Sequence, residues 1–167
     1  MWVWRYSKPI FSLFHKILLI IFILLSIISF GSVKIIDTKD NLGKLTGGKS
    51  IVYKDNVGSL QLDFENSNCI AIIVKTNRSA SEIETEIGFM IDTGYNRNLS
   101  YKIQKDKKTV KCSADSAIDT EIIKNIVYDM EKGYLLMIDY VGKDDKTIAM
   151  NIKLAEIQKA IKELKSK

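Results

Sequence analysis

The chain is poor in the residues on which many enzyme sites depend. It has one histidine (His15), one proline (Pro9) and two tryptophans (Trp2 and Trp4), and all four lie in its first 31 residues. If these 31 residues are a leader that is removed from the mature protein, no histidine remains. That excludes a Ser-His-Asp or Cys-His catalytic group and a histidine-ligated metal site. Two cysteines cannot complete a structural zinc site by themselves. We therefore predict no catalytic residues, no metal ligands and no cofactor-binding residues.

The first 31 residues have the layout of an export signal. Arg5, Lys8 and Lys16 precede an apolar run over 17–30 that contains no charged residue. A membrane-spanning helix needs about 20 apolar residues, a length that this run reaches only if it is extended back across a histidine and a lysine. We predict a signal peptide over 1–31, with an uncleaved N-terminal membrane anchor as the alternative. The domain is then exported to the periplasm or outer envelope, or it is anchored at the inner membrane and lies outside the cytoplasm.

The charge of the chain is concentrated in this leader. The whole sequence has 25 basic and 20 acidic residues, a net charge of +5. The leader contains three of the basic residues and no acidic one, so the exported part has 22 basic residues against 20 acidic ones, a net charge of +2. A nearly balanced surface gives no reason to expect a nucleic-acid partner. We interpret the lysines near the C-terminus as the solvated face of a helix, with contact to anionic lipid as the alternative.

Residues 118–131 have the apolar periodicity of an amphipathic helix. The apolar residues that recur at helical spacing are Ile118, Ile122, Ile123, Ile126, Val127 and Met130. Asp119 or Thr120 can cap the start of this helix, and Gly133 can end it in a left-handed conformation. We expect Ile122 and Ile126 to face a sheet.

A β-hairpin and a second helix are predicted to follow. Residues 134–141 and 146–153 are rich in β-forming residues, and the turn-forming residues 142–145 lie between them. Over 154–165 the apolar residues at helical spacing are Leu154, Ile157, Ile161 and Leu164. Neither the helices nor the hairpin can bury an apolar face alone, so we expect all three to pack on a sheet formed upstream.

Five further segments before the first helix have the pattern of strands. They cover 58–65, 69–76, 82–91, 99–104 and 108–112. The first alternates apolar and polar residues, whereas 69–76 is a continuous apolar run that is typical of a central strand covered on both faces. Short strands joined by tight turns favour antiparallel pairing. We therefore predict a mainly β fold, either an antiparallel β-sandwich or a partly rolled barrel, with a short helix before the last hairpin and a C-terminal helix.

Residues 32–50 are predicted to form a flexible linker ahead of a single β-rich domain over 51–167. Gly43, Gly47 and Gly48 interrupt short polar runs in this segment. The letters GKLTGGKS also satisfy the phosphate-loop pattern, but that loop needs a buried strand before it and a helix after it. The residues that follow here are strand-like, so we predict no nucleotide site.

Cys69 and Cys112 form a possible disulfide. Both lie in the exported part, where oxidising conditions would let them pair. A bond requires their α-carbons to lie within about 7 Å, and two buried free thiols are the alternative.

The order of motifs after Cys112 is shared with a known family. Cys112 is followed six residues later by the apolar-acidic pair Ile118 and Asp119, then by a helix that ends at Gly133, a hairpin and a last helix. This order resembles the C-terminal half of the invasion-associated locus B family, whose members are exported from proteobacteria. Upstream, residues 87–94 resemble the family's leucine-glycine-valine stretch, although the proline that follows it in the family is absent here.

The resemblance covers about 57–164 and implies a fold and a role. It implies a β-sandwich with helical additions, in an exported, envelope-associated protein that is linked in some pathogens to entry into host cells. Family members have two cysteines close together in each half, whereas this chain has Cys69 in one half and Cys112 in the other. The resemblance implies no catalytic residues and no cofactor.

These observations lead to three functional hypotheses. The first is an exported, non-enzymatic envelope or surface-associated binding protein whose partner is a protein of the envelope or of a host surface. The second is an inner-membrane-anchored periplasmic accessory protein. The third is an exported hydrolase that uses carboxylates such as Asp63, Glu65, Asp144 or Asp145, because acid–base chemistry needs two groups whose environments separate their pKa values.

Overall fold

The computed structural model describes residues 31–39 and 45–166, so the predicted signal peptide or anchor lies outside the described residues except for Gly31. The strands in these ranges are β1 (Ser32–Lys39), β2 (Leu45–Lys54), β3 (Gly58–Glu65), β4 (Asn68–Thr76), β5 (Glu86–Ile91), β6 (Arg97–Ser100), β7 (Lys102–Ile103), β8 (Thr109–Ser113), β9 (Leu135–Val141) and β10 (Thr147–Lys153). The helices in these ranges are α1 (Ala117–Met130) and α2 (Ala155–Lys165).

These strands form two antiparallel sheets. One sheet has the order β1-β2-β3-β4-β8-β7, and the other has the order β10-β9-β5-β6. Side chains from both sheets and from both helices meet in a single apolar core. The prediction of a mainly β, antiparallel fold with a helix before the last hairpin and a C-terminal helix is confirmed, and the two sheets match the sandwich form of that prediction.

The predicted linker over 32–50 is wrong wherever the structure describes it. β1 and β2 pair in antiparallel register from Ser32 opposite Lys54 to Asp37 opposite Lys49. Gly48 serves close packing rather than mobility, because a Cβ added there would lie 2.7 Å from a carbonyl oxygen of β3. The β-rich domain therefore begins with β1 and not at residue 51.

The alternation predicted for β3 is confirmed, but the prediction for β4 is only half right. Leu60, Leu62 and Phe64 of β3 point into the core. In β4 one face is buried in the same way, whereas Ile70 is 40% exposed and Lys75 is also exposed. β4 is central in its sheet but is not covered on both faces.

α1 is present as predicted, although a different residue caps it. The N-cap is Ser116, whose Oγ accepts a hydrogen bond from the Asp119 backbone N–H at 3.1 Å and donates one to the Asp119 carboxylate at 2.6 Å. Thr120 lies inside the first turn and donates its hydroxyl to the Ser116 carbonyl. Asp119 and Thr120, which were predicted as caps, thus lie inside the helix and bond to the actual N-cap residue, Ser116.

Two further details of α1 differ from the prediction. Ile118 lies in the first turn and is 72% exposed, so it is not part of the buried stripe. Gly133 does not adopt a left-handed conformation, since the only described glycine with positive φ is Gly47. A Cβ added at Gly133 would lie 2.0 Å from the Ile91 Cγ2 atom, so this position needs glycine for close approach to β5.

The last hairpin and α2 are confirmed. β9 and β10 pair from Leu135 opposite Lys153 to Val141 opposite Thr147. α1 contacts β4, β5 and β6, whereas α2 contacts β1 and β2. The Gln158 side-chain amide donates to backbone carbonyls at the end of α1 and so ties the two helices together.

Over 31–39 and 45–166, no helix is both long and apolar enough to cross a membrane.

Candidate functional site

A groove of about 420 Å³ lies between α1 and the β3–β4 hairpin, and we call it the α1 groove. Its hairpin side is lined by Phe64, Ser67, Asn68 and Cys69, and its helical side is lined by Thr120, Glu121, Lys124, Asn125, Val127, Tyr128 and Glu131 of α1 with Lys165 of α2. The groove therefore has an apolar floor and a polar rim.

The hairpin side of the groove depends on a two-residue turn. Asn66 and Ser67 have φ of 47° and 64°, and the flanking residues Glu65 and Asn68 pair directly. Two consecutive left-handed residues match the twist of a tight hairpin, and asparagine tolerates this conformation better than most residues. The turn brings Ser67 to the mouth of the groove.

A β-bulge places Cys69 on the groove floor. Asp63 pairs with Ala71, but Phe64 pairs with Cys69, so Ile70 is an extra residue without an opposite partner. The bulge turns Cys69 toward the core side, beside buried Phe64. Without the bulge, β4 would alternate strictly, and Cys69 would lie on the face of the sheet opposite to that of the buried Ile72.

The Cys69 thiol is not poised for nucleophilic chemistry. Its Sγ donates to the Ala71 carbonyl at 3.4 Å, and burial raises the pKa of the Cys69 thiol to about 12. A thiol with so high a pKa is almost entirely protonated at neutral pH, and only the thiolate is a strong nucleophile. On this geometry Cys69 contributes apolar surface to the groove.

The rim of the α1 groove carries both charges and one exposed aromatic ring. Tyr128 is 53% exposed, and the Lys132 ammonium lies 3.6 Å from the centre of its ring. Glu131 forms an ion pair with Lys165 across the end of the groove. The Lys124 ammonium lies 4.0 Å from a Glu121 carboxylate oxygen, at the limit of an ion pair, so its charge remains available to a ligand.

A neighbouring groove of about 600 Å³ shares Phe64 and Ser67 with the α1 groove. Its other walls are formed by β1, β2 and the end of α2, including Ile35 and Leu164. The β3–β4 turn thus stands between two depressions. An extended ligand could occupy both by crossing that turn.

A third groove, of about 310 Å³, lies between the β5–β6 turn and the end of α1. It contains two carboxylates, Asp92 and Asp129, and both are engaged in structural bonds. Arg97 donates Nε and Nη2 to Asp129 Oδ2 at 2.9 and 2.7 Å. The Asp92 carboxylate accepts the backbone N–H groups of Tyr134 and Leu135 at 2.9 to 3.1 Å. These bonds hold the loop between α1 and β9 in place.

The possible disulfide between Cys69 and Cys112 is not formed in this structure, in which both are free thiols. The strand register explains why the two cysteines do not pair, because Cys112 lies opposite Ile72 and not opposite Cys69. Cys112 is buried, and that burial raises the pKa of its thiol to about 12.

The four carboxylates of the hydrolase hypothesis are not brought together in any of the three grooves. Asp63 is buried on β3, where it accepts bonds from Ser50 Oγ at 2.6 Å and Gln61 Nε2 at 2.7 Å. Asp144 and Asp145 lie in the β9–β10 turn, and a hydrogen bond from Arg78 lowers the pKa of Asp144. Glu65 is exposed at the end of β3.

Sequence analysis named Cys69 and Val127 of the α1 groove for other reasons, but it did not single out Tyr128 or Lys124. Tyr128 and Lys124 lie on the polar side of the α1 stripe, and an exposed aromatic residue there is the one signal that could have identified them. The groove itself requires the β3–β4 bulge and the packing of α1 against β4, which no local pattern of residues specifies.

Comparison of the chain with models of protein families, with curated proteins and with solved structures finds no match. The likeness to the invasion-associated locus B family therefore remains a resemblance of sequence motifs.

Proposed function

We propose that the protein is an exported binding protein of the cell envelope or surface, which holds a partner protein in the α1 groove. Export is supported by the basic residues and the apolar run that precede β1. A role at the host surface is supported by the resemblance of residues 112–164 to the invasion-associated family. The second candidate function is an inner-membrane-anchored accessory protein, which the same apolar run would support if it is retained.

The observation that carries the proposal is the composition of the α1 groove. An apolar floor of Phe64, Cys69 and Val127 can take up an aliphatic or aromatic side chain of a partner. Around that floor, the exposed Tyr128 ring and the Lys124 ammonium can contact the backbone and an acidic side chain of the same segment. An apolar centre surrounded by a polar, charged rim is typical of protein interfaces.

The polar groups of this site support binding better than catalysis. The Cys69 thiol has a raised pKa, and the Glu131 carboxylate is neutralised by Lys165. Acid–base catalysis by two carboxylates requires that they approach the same reacting atom. Glu131 is the C-cap residue of α1 and follows Glu121 by ten residues, about 15 Å along the helix axis at 1.5 Å per residue.

Site-specific photo-crosslinking in the native cells tests the proposal. A photoreactive phenylalanine at position 128 should capture a partner protein in good yield. The matched control is the same residue at Tyr95, which is 91% exposed but lies outside the α1 groove. Equal capture at the two positions, or none at 128, would contradict the proposed site.

Variants of the groove provide a second test with the captured partner. Tyr128→Ala and Lys124→Glu should each weaken binding by about tenfold or more, which corresponds to about 1.4 kcal/mol. Cell fractionation with N-terminal sequencing of the mature protein distinguishes the two candidate functions. A mature chain that starts near Ser32 supports the exported protein, and an intact leader in the inner-membrane fraction supports the anchored accessory protein.

A further inference from the structure

The six-stranded sheet has one face turned away from the core, and strand register defines which residues it presents. Residues that lie opposite each other in neighbouring strands project from the same side of a sheet. Val52 lies between the core residues Ile51 and Tyr53, so the row that contains Val52 projects outward. That row runs from β1 to β7 as Lys34, Val52, Gln61, Ile73, Lys111 and Lys102.

Two further rows project from the same side, and we call the three rows together the lysine face. The row on one side is Ser32, Lys54, Ser59, Lys75 and Thr109, and the row on the other side is Ile36, Ser50, Asp63, Ala71 and Ser113. Both helices bury their apolar residues in the core, on the opposite side of this sheet.

The lysine face has five lysines and a single carboxylate, Asp63. Asp63 is only 7% exposed, and it accepts hydrogen bonds from Ser50 Oγ at 2.6 Å and Gln61 Nε2 at 2.7 Å. The partners of this carboxylate are therefore neutral side chains, and it pairs with none of the five lysines.

The carboxylates at the margin of the lysine face are paired, bonded to the core or distant. The ion pairs are Asp106–Lys75 at 2.9 Å, Asp115–Lys102 at 2.7 Å and Asp37–Lys49. Asp55 accepts the hydroxyl of the buried Tyr53. Glu65 lies four residues along β3 from the row of Lys34 and Lys111, about 13 Å away. Lys34, Lys54 and Lys111 form no ion pair with any other described residue.

The unpaired lysines are spread over a broad surface. Lys34 and Lys111 lie four strands apart in one row, about 19 Å at about 4.8 Å per strand. A single small anion cannot reach both, whereas a plane of many anions can. Between them Val52 and Ile73 are half-buried, and Ile36 is 46% exposed. Lysines combined with aliphatic side chains are typical of surfaces that lie at a membrane interface.

The lysine face also begins close to the end of the apolar run. That run covers 17–30, and Ser32, two residues later, is the first residue of the face. Two residues of extended chain span about 7 Å. An apolar run held in a lipid bilayer would therefore bring Ser32 and the opposite residue Lys54 to the headgroups. The three rows contain no aromatic residue on which the bases of a nucleic acid could stack.

We propose that the lysine face docks on an anionic lipid bilayer, with Lys34, Lys54 and Lys111 against the phosphate headgroups. Each lysine at such a surface strengthens binding by about fivefold, so the three together contribute about a hundredfold. The attraction weakens as salt shortens the range of electrostatic interactions. This inference does not depend on the partner of the α1 groove, and it holds whether the leader is retained or removed.

The test places the full-length protein in lipid nanodiscs and measures how closely the lysine face approaches the lipid. A fluorophore on an Ile36→Cys variant reports from the face, because burial raises the pKa of both native thiols to about 12 and slows their labelling. The matched control is a fluorophore on Tyr95→Cys, in the β5–β6 turn and 91% exposed. Spin-labelled headgroups quench a fluorophore that approaches them. Nanodiscs of phosphatidylcholine, with and without phosphatidylglycerol, differ in charge while the leader is the same.

Two sets of variants separate the position of a charge from its amount. Lys34→Glu, Lys54→Glu and Lys111→Glu together reverse the unpaired charges of the face, and the same three changes to Gln remove them. The control of equal charge change combines Lys143→Glu, Lys146→Glu and Lys153→Glu, at exposed positions of the β9–β10 hairpin in the other sheet. Circular dichroism verifies that each variant is folded.

We expect phosphatidylglycerol to increase quenching at position 36 and not at position 95. The increase should be lost in both lysine-face variants and in about 1 M salt, where the Debye length is about 3 Å, and it should persist in the control variant. Equal quenching in the two lipids, or an equal loss in the control variant, would overturn the proposal. So would release of the face from the bilayer by soluble polyglutamate or an oligonucleotide at the same concentration of charge, because an acidic protein or a nucleic acid would then be the preferred partner.

Discussion

Left-handed backbone in this protein falls mainly on polar side chains rather than on glycine. The non-glycine residues with positive φ in the described ranges are Asn66, Ser67, Asp92, Lys107 and Asp145. Each lies at a turn or at the end of a strand, where asparagine and aspartate tolerate this conformation best. Gly133, where the sequence predicted a left-handed residue, is required for a different reason.

Gly133→Ala should destabilise the fold, although the backbone there suits any residue. The added methyl group would lie 2.0 Å from Ile91 Cγ2, and overpacking of this kind costs about 1–3 kcal/mol. Chemical denaturation measures the loss in the free energy of unfolding. The control Lys143→Ala, at an exposed position in the β9–β10 turn, should alter that free energy by less than about 0.5 kcal/mol. Equal stability of the two variants would show that Ile91 can move aside.

Both thiols should be free and slow to react in the folded protein. Burial raises the pKa of Cys69 and of Cys112 to about 12, so little thiolate is present at pH 8. We expect two reactive thiols per chain after denaturation and no change of melting temperature with reductant. A Tyr134→Cys variant, at an exposed position, provides the fast-reacting control. Absence of reactive thiols in the denatured, exported protein would establish the disulfide after all.

At the level of elements, the apolar stripe of α1 is buried along most of the helix but not in its first turn. α1 buries Ile123, Ile126, Val127 and Met130, whereas Ile118 projects into solvent. Helical periodicity identifies the side of a helix that can be buried, but the first turn extends beyond the sheet on which the helix packs.

Ile126→Asp should prevent stable folding, because it places an unpaired charge in the core. Ile118→Asp is the matched control in the same helix, since Ile118 is 72% exposed. The control should keep the native melting temperature within a few degrees. Circular dichroism during thermal unfolding separates the two variants. A folded Ile126→Asp protein would contradict the position of α1 against the sheets.

At the level of the whole molecule, buried tyrosines join the two sheets. The hydroxyl groups of Tyr140 on β9 and Thr76 on β4 are hydrogen-bonded at 2.9 Å. The Tyr101 ring meets the Tyr140 ring edge-on at 5.8 Å, and its hydroxyl donates to the carbonyls of Ser81 and Glu84. The bond between Thr76 and Tyr140 connects residues that are 64 positions apart in the chain.

The stability of the fold should fall in alkaline solution because of these tyrosines. Burial raises the pKa of Tyr101 and of Tyr140, and burial with the Asp55 hydrogen bond raises the pKa of Tyr53 to about 12. A group with a raised folded-state pKa contributes stability below its unfolded pKa, near 10 for tyrosine, and that contribution is lost as the pH rises through the folded-state value.

Thermal unfolding between pH 8 and 12, with tyrosinate absorbance at 295 nm, measures this effect. Part of the tyrosinate signal should appear only together with unfolding. Tyr140→Phe should reduce the fall in stability with pH, and Tyr134→Phe, at an exposed position, should leave it unchanged. Full tyrosinate formation before any unfolding would contradict the burial argument.

The boundary of the domain gives a further prediction at this level. A chain that starts at Gly31 should fold, whereas one that starts at Ile51 should aggregate, because it lacks β1 and more than half of β2. The loss would expose β3 as a new edge and remove Ile35 from its place against the core. Solubility and circular dichroism compare the two chains. Equal melting temperatures would restore the linker interpretation.

The sequence by itself determined the local structure of much of this protein. The alternation in β3, the turn between β9 and β10 and the stripe of α2 follow from backbone periodicity, which depends on neighbouring residues only. The candidate groove could not be predicted in this way. Its floor depends on the bulge at Ile70, and its wall depends on where α1 packs.

Only the tertiary structure decided the strand order, the partner of each cysteine and the role of residues 32–50. A strand acquires its neighbours through hydrogen bonds to residues far away in the chain, and the sequence of one strand does not name its partner. Thus Cys112 lies opposite Ile72, and a glycine-containing segment becomes part of a six-stranded sheet because β3 offers it an edge. The α1 groove exists for the same reason, since it is defined by the elements that meet around it.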